Sequence, residues 1–153
     1  MIEVYDVQGG VERLYQMLEE SENKPFVVAV HSPGRDHGKS HFIRESSKRF
    51  NENGKVSYGN GDSYELEFLD ERDLFDYDVF FIQMPACVDL VCADLDSQKN
   101  YGRPCDVNVI VYNPDMFSAD IHEYVEGKHR FLKEHGIDRE FDFVVENPDS
   151  KLK

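Results

Sequence analysis

The sequence is short of positive charge: 17 Lys and Arg stand against 31 Asp and Glu, a formal net charge of −14. Such a field repels phosphate backbones and anionic lipid, which argues against nucleic acid and membrane surfaces as partners. No stretch approaches the roughly 18 apolar residues that cross a bilayer, and the first residues, with Glu3 and Asp6, lack the basic start and apolar run of a secretory signal. The expectation is a soluble, cytoplasmic protein. Cysteine is scarce too. Cys87, Cys92 and Cys105 are odd in number and include no second close pair, so neither a disulfide framework nor a zinc site is indicated. All three are expected as reduced core thiols. Internal repeats, low-complexity tracts and linkers are missing as well.

What is present suits a folded chain. Hydrophobic residues make up 40% and charged residues 31%, a globular balance, and 11 Phe with 8 Tyr supply bulky core material. A length of 153 residues fits one domain, 1–153, with a real core.

Val11, Leu14, Tyr15 and Leu18 are spaced for an amphipathic helix that ends before Pro25. Phe26 to Val30 then reads as a strand buried on both faces. Phe42, Ile43 and Phe50 suit one face of a helix stopped by Asn53-Gly54. Lys55 to Tyr58 and Ser63 to Phe68 flank Gly59-Asn60-Gly61-Asp62 and suggest a hairpin; a loop and short helix from Ser63 is the competing reading. Val79 to Ile82 is a third buried run. Val88, Val91, Cys92 and Leu95 form a helical stripe, and Val107 to Val111 a fourth strand. Ser118 can cap a helix carrying Ile121, Tyr124, Val125, Phe131 and Leu132 on one face, closed by Gly136. Phe141 to Val145 is the last strand. The alternation predicts an α/β three-layer fold with a mainly parallel sheet of about five strands and helices on both faces.

One segment gathers the cationic and backbone donors that the rest of the chain lacks. His31-Ser32-Pro33-Gly34-Arg35-Asp36-His37-Gly38-Lys39-Ser40 follows a buried strand and opens a helix. A phosphate-binding loop is built that way: backbone N–H groups wrap the phosphates, Lys adds charge, and Ser or Thr offers a hydroxyl to Mg²⁺. Gly34, Gly38, Lys39 and Ser40 are therefore expected to bind a nucleoside triphosphate, ATP or GTP, with Mg²⁺ on Ser40. The full pattern asks for Gly five residues before Gly38, where this chain has Pro33, which removes one N–H. Asp36 adds a carboxylate that opposes phosphate. Arg35, His37 and His41 are the candidates to compensate, the histidines as phosphate-side donors.

With these residues, Tyr77-Asp78-Val79-Phe80-Phe81-Ile82 and Phe141-Asp142-Phe143-Val144-Val145-Glu146-Asn147, the chain resembles the P-loop kinases, most closely the uridine kinase-like branch. The resemblance implies that Lys39 holds the β/γ-phosphates and that Ser40 ligates Mg²⁺. It further implies that Asp62 is the base for a small hydroxyl-bearing acceptor and that Asn147 to Asp149 border the adenine. Phosphoryl transfer asks mainly for positioning and charge compensation, so that set is chemically coherent. The chain departs from the branch in having Gln83 where an acidic residue ends the second conserved strand, and in lacking the Arg-rich lid and the long acceptor-binding insertion. Arg103 and Arg130 remain as phosphate-contact candidates or as ordinary surface residues.

Val107 to Val111 with Asn113-Pro114-Asp115, and a strand ending at Asn147, also look like partition-type ATPases and small GTPases. That likeness implies a nucleotide-controlled switch with a partner and no acceptor, and the hairpin reading favours it. His122 and His129 are expected on a solvated stripe. The acidic run Asp70, Glu71, Asp73, Asp76 and Asp78 is expected to be a solvated loop.

Overall fold

The computed structural model describes residues 1–52, 58–62 (backbone) and 77–148. Six strands form one wholly parallel sheet in the order β1-β6-β5-β2-β4-β3. They are β1 (Val4–Asp6), β2 (Phe26–His31), β3 (Tyr58–Asp62), β4 (Val79–Gln83), β5 (Val107–Tyr112) and β6 (Phe143–Glu146). Among the described residues the helices are α1 (Val7–Glu20), α2 (Lys39–Phe50), α3 (Leu90–Tyr101) and α4 (Ile121–Glu134). Every residue of β2 and of β5 is buried, as expected of β-branched strands covered on both faces.

Alternation along the strands sorts side chains into two layers. Phe26, Val28, Val30, Val107, Val109 and Val111 pack in one cluster with Val11 and Leu14 of α1 and Phe42 and Ile43 of α2. Val27, Ala29, Phe80 and Ile82 turn the other way onto Ala93 and Tyr101 of α3, while Ile110 and Val144 meet Val125 and Leu132 of α4. Right-handed crossovers require this arrangement. The connections β1–α1–β2 and β2–α2–β3 run towards one edge of the sheet, whereas β4–α3–β5 and β5–α4–β6 run back, so their helices fall on opposite faces.

Three helix starts are held by aspartates. Asp6 accepts from Gly9 N–H at 2.7 Å, Asp89 from Cys92 N–H at 3.0 Å, and Asp120 from His122 and Glu123 N–H at 2.8 and 3.2 Å. The cap of α4 is thus Asp120 and not Ser118. Its end is as expected: Gly136 at φ 73° sends its N–H to Lys133 O, and Ile137 N–H reaches Leu132 O, a Schellman closure.

Four other expectations change. The first element is the short strand β1, which adds a sixth strand beside β6. Gly59-Asn60-Gly61-Asp62 is no hairpin tip but the body of β3, parallel to β4, with Gly61 opposite Ile82 and Asp62 opposite Gln83. Strand pairing overrode the turn signal of Asn60-Gly61. Its expected flanks, with Asn53-Gly54, the region from Ser63 and the acidic residues 70–76, lie outside the described residues. In α3 the buried face is Leu90, Ala93, Ser97 and Tyr101, while Leu95 is 63% exposed, so the stripe is rotated from the one expected. Of the cysteines only Cys105 is buried; Cys87 and Cys92 are exposed.

Candidate functional site

The loop 32–38 leaves the C-terminal end of β2, which lies between β4 and β5, where the crossovers change direction. Open α/β sheets bind ligands at such a reversal. Gly38 turns the chain into α2 at φ 95°, a conformation that suits glycine, and no side chain caps the helix. The first turn of α2 carries N–H groups that lack intrahelical partners, at the positive pole of the helix. Lys39 folds back over the loop, its Nζ donating to Ser32 Oγ at 3.1 Å, and Ser32 Oγ donates to Gly34 O at 2.7 Å. Ser32, His37 and Gly38 are buried, Gly34 and Lys39 half-buried, Arg35, Asp36 and Ser40 exposed. Asp36 is the sole non-glycine residue at positive φ among the described residues, at 62°.

Two histidines bracket this loop. His31 is fully buried, with Nε2 2.8 Å from Asn108 Oδ1, and its Nδ1 accepts the Asp89 N–H at 3.3 Å. Burial drives its pKa down to about 4, against the Asn108 hydrogen bond and the nearby Asp89 and Asp94 charges, which favour protonation. His37 Nδ1 accepts the Asn113 N–H at 2.8 Å, and burial followed by the Lys39 charge lowers its pKa, with Asp36 opposing. Asn113, fully buried, accepts the Asp115 N–H at 2.8 Å and so shapes the turn after β5.

Behind His31 the polar chain continues. Asn108 Nδ2 donates to Asp94 Oδ1 at 3.1 Å, Cys105 N–H donates to the same oxygen at 3.1 Å, and Arg139 grips Asp94 with Nε at 2.7 Å and Nη2 at 3.2 Å. None of these partners was legible as a site in the sequence. They lie up to 77 positions apart and carry no local motif.

The other candidates separate by position. Asp62 closes β3 and stands in register with Gln83, which in turn pairs with Val30, so Asp62, Gln83 and the loop 32–38 share the C-terminal edge of the sheet. Asn147 follows β6 on that edge, its N–H donating to Tyr112 O at 2.8 Å, and it is buried with Nδ2 unpartnered. Asp149 lies outside the described residues. His41 is half-buried in the first turn of α2. Arg103 is no phosphate ligand: it pairs with Asp106 at 3.2 Å and donates to Pro25 O, at the opposite end of β2. Arg130 is exposed on α4. His129 is half-buried: it stacks on Phe141 and accepts the Phe141 N–H at 2.9 Å. Asp78 pairs with Lys24 at 3.3 Å.

No protein family and no curated protein matches the chain. Among solved structures it is similar to the kinase domain of Escherichia coli tyrosine kinase ETK, with a TM-score of 0.56 at 12% identity, over 92% of this chain and 74% of that one. The chain has a P-loop NTPase fold. The likeness supports that class and not the uridine kinase-like branch in particular.

The loop's residues fit a phosphate chain with a divalent cation: uncapped helix N–H groups, the Lys39 ammonium, and an exposed hydroxyl on Ser40. Among the described residues no group of three His, Cys, Asp or Glu could hold a metal by itself. No helix among the described residues is long and apolar enough to cross a membrane.

Proposed function

We propose that the chain binds a nucleoside triphosphate at the loop between β2 and α2 and transfers the γ-phosphoryl of ATP to a small hydroxyl-bearing acceptor. The observation that carries the binding site is the return of Lys39 across the loop to Ser32, beside the uncapped start of α2. Lys39 neutralises the β/γ-phosphates, Ser40 holds Mg²⁺, and Arg35, His37 and His41 contribute further donors round the loop. Asp62, on the same edge of the sheet, takes the acceptor's proton. Mg²⁺ supplies charge neutralisation of the phosphates when bound. Asn147 borders the base. The site operates in the cytoplasm within a single domain.

Calorimetric titration with Mg·ATP and Mg·GTP, repeated on Lys39→Ala, tests the binding step; heat that survives the substitution unchanged refutes the assignment. Asp62→Asn tests transfer. It should abolish phosphorylation of a hydroxyl acceptor while leaving Mg·ATP affinity intact, and turnover at the parental rate removes Asp62 from the role.

Gln83 favours a second reading, a nucleotide-binding module that controls a partner without an acceptor. It occupies the end of β4 beside the loop and supplies no negative charge for a metal or its waters. The hairpin that spoke for this reading is replaced by the parallel strand β3. Acceptor-dependent ADP release in a substrate screen decides against it.

A further inference from the structure

The geometry points to His31 and His37 as positioning residues of the phosphate loop: two imidazoles that each accept a main-chain N–H, one from the start of α3 and one from the turn after β5. Together they clamp the loop at both ends. The inference rests on the nucleotide-binding reading and deepens it, because it assigns what holds that loop in shape and what acidity does to it.

A backbone N–H can only donate, so an imidazole nitrogen 2.8 Å from Asn113 N must be unprotonated, and the same holds for the His31 nitrogen facing Asp89 N. Each ring is therefore uncharged with its proton on Nε2. For His31 that proton meets the amide oxygen of Asn108, whose NH₂ is already committed to Asp94. The direction of the whole chain, Asp89 to His31 to Asn108 to Asp94, is internally consistent. His37 Nε2 lies against Gly34, 3.4 Å from where a Cβ would stand, so its ring also fills the inside of the loop. The segments after β4 and after β5 are the loop's neighbours on the ligand-facing edge of the sheet. Through the two rings, ordering of the loop by a phosphate chain is passed to Asp89 and Asn113.

Protonating either ring sets N–H against N–H and opens that clamp. Asp89 and Asp94 on α3 favour the charged form of His31, while Lys39 and burial oppose it, with Asn108 of β5 and the edge of Phe141 uncharged. Round His37, Asp36 favours the charged form and Lys39 opposes it, while Asn113 contributes no charge. Burial holds His31 neutral down to about pH 4, and His37 opens below the ordinary imidazole value because burial and then the Lys39 charge lower its pKa.

Nitrogen-15 spectra of both rings in the free protein, combined with Mg·ATP titrations of His37→Ala and His37→Asn, test the clamp. Asn places an amide oxygen near the site of Nδ1 and does not titrate. At pH 7.5 both rings should be in the Nε2–H form. His37→Ala should bind Mg·ATP about tenfold more weakly, the scale of one lost hydrogen bond, with His37→Asn recovering part of that loss. As pH falls below the ordinary imidazole value of 6.5 the parent should lose affinity relative to His37→Asn. The Asp89 and Asn113 amide signals should move when Mg·ATP is added. An Nδ1–H ring, parental affinity in His37→Ala, equal weakness in both variants, or an Asp89 amide that stays still overturns the inference. Both rings in the Nε2–H form with no Mg·ATP binding by the parent instead refutes the nucleotide reading, and the positioning role with it.

Discussion

His31 Nε2 lies 2.8 Å from Asn108 Oδ1, and neither side chain is reached by solvent. Burial of His31 makes stability depend on pH, against the Asn108 bond, which favours the protonated ring. The folded pKa of about 4 lies below the ordinary His value of 6.5, so the folded state binds fewer protons than the unfolded state between these values. The stabilisation is fully present above pH 6.5 and is lost as pH falls towards 4. The span corresponds to roughly 3 kcal/mol at most. Urea unfolding at pH 7.5 and 4.5 should show a loss of that order, and His31→Asn should flatten it. A parent whose stability is unchanged between the two pH values contradicts the assignment.

Asp94 gives a second prediction. Its carboxylate receives Arg139, Asn108 and Cys105 N–H together, with its own side chain 12% exposed. Removing the carboxylate leaves three donors short of an acceptor, whereas removing Arg139 leaves Asp94 with two donors. Asp94→Ala should therefore cost about 2–4 kcal/mol and Arg139→Met about 1–2 kcal/mol in chemical denaturation. The reverse order would show that the arginine, not the carboxylate, organises the cluster.

How far the sequence shows these features depends on whether the signal is local. The strands Phe26–His31, Val79–Gln83 and Val107–Tyr112 are largely apolar runs, and Gly38-Lys39-Ser40 marks the turn from the first of them into α2, so fold class and the place of the loop are both legible. The clamp is not. His31 reads as one more histidine near a loop until Asn108 and Asp89, 77 and 58 positions away, are brought to its two nitrogens. Tyr58–Asp62 misleads in the opposite direction. Its Asn-Gly pair is a strong turn signal in isolation, and its pairing with β4 is a tertiary fact. The face of α3 is missed because Ser97 is buried where a polar residue is expected outside.

Two helical glycines, Gly10 and Gly127, should respond oppositely to alanine. A Cβ on Gly10 would stand 2.5 Å from Val145 Cγ2 and 3.3 Å from Phe42 Cε1, at the closest approach of α1 to β6. A Cβ on Gly127, midway along α4, meets nothing within 4 Å. Gly10→Ala should lose about 1–3 kcal/mol despite its better helix propensity, because α1 must lift off the sheet. Gly127→Ala should gain about 0.5–1 kcal/mol. Thermal unfolding of the pair checks the packing of α1 directly, and a stabilised Gly10→Ala would mean that the contact is looser than described.

Asp36 combines backbone strain with the wrong charge. It sits at φ 62° in the loop, exposed, two residues before Gly38 and three before Lys39. A left-handed conformation costs a non-glycine residue about 1 kcal/mol, which glycine avoids, although glycine's freer unfolded chain takes back a similar amount. Asp36→Gly should therefore leave unfolding free energy within about 1 kcal/mol of the parent. Its effect on the ligand should be larger, because a carboxylate beside the phosphate chain repels it and partly offsets Lys39. Mg·ATP affinity should rise several-fold at low ionic strength, and the gain should shrink as salt screens the charge. Asp36→Asn separates the two causes: it removes the charge and tolerates the backbone conformation, so it should reproduce the gain in affinity. If Asp36→Gly improves binding and Asp36→Asn does not, backbone strain and not the carboxylate limits the phosphate loop.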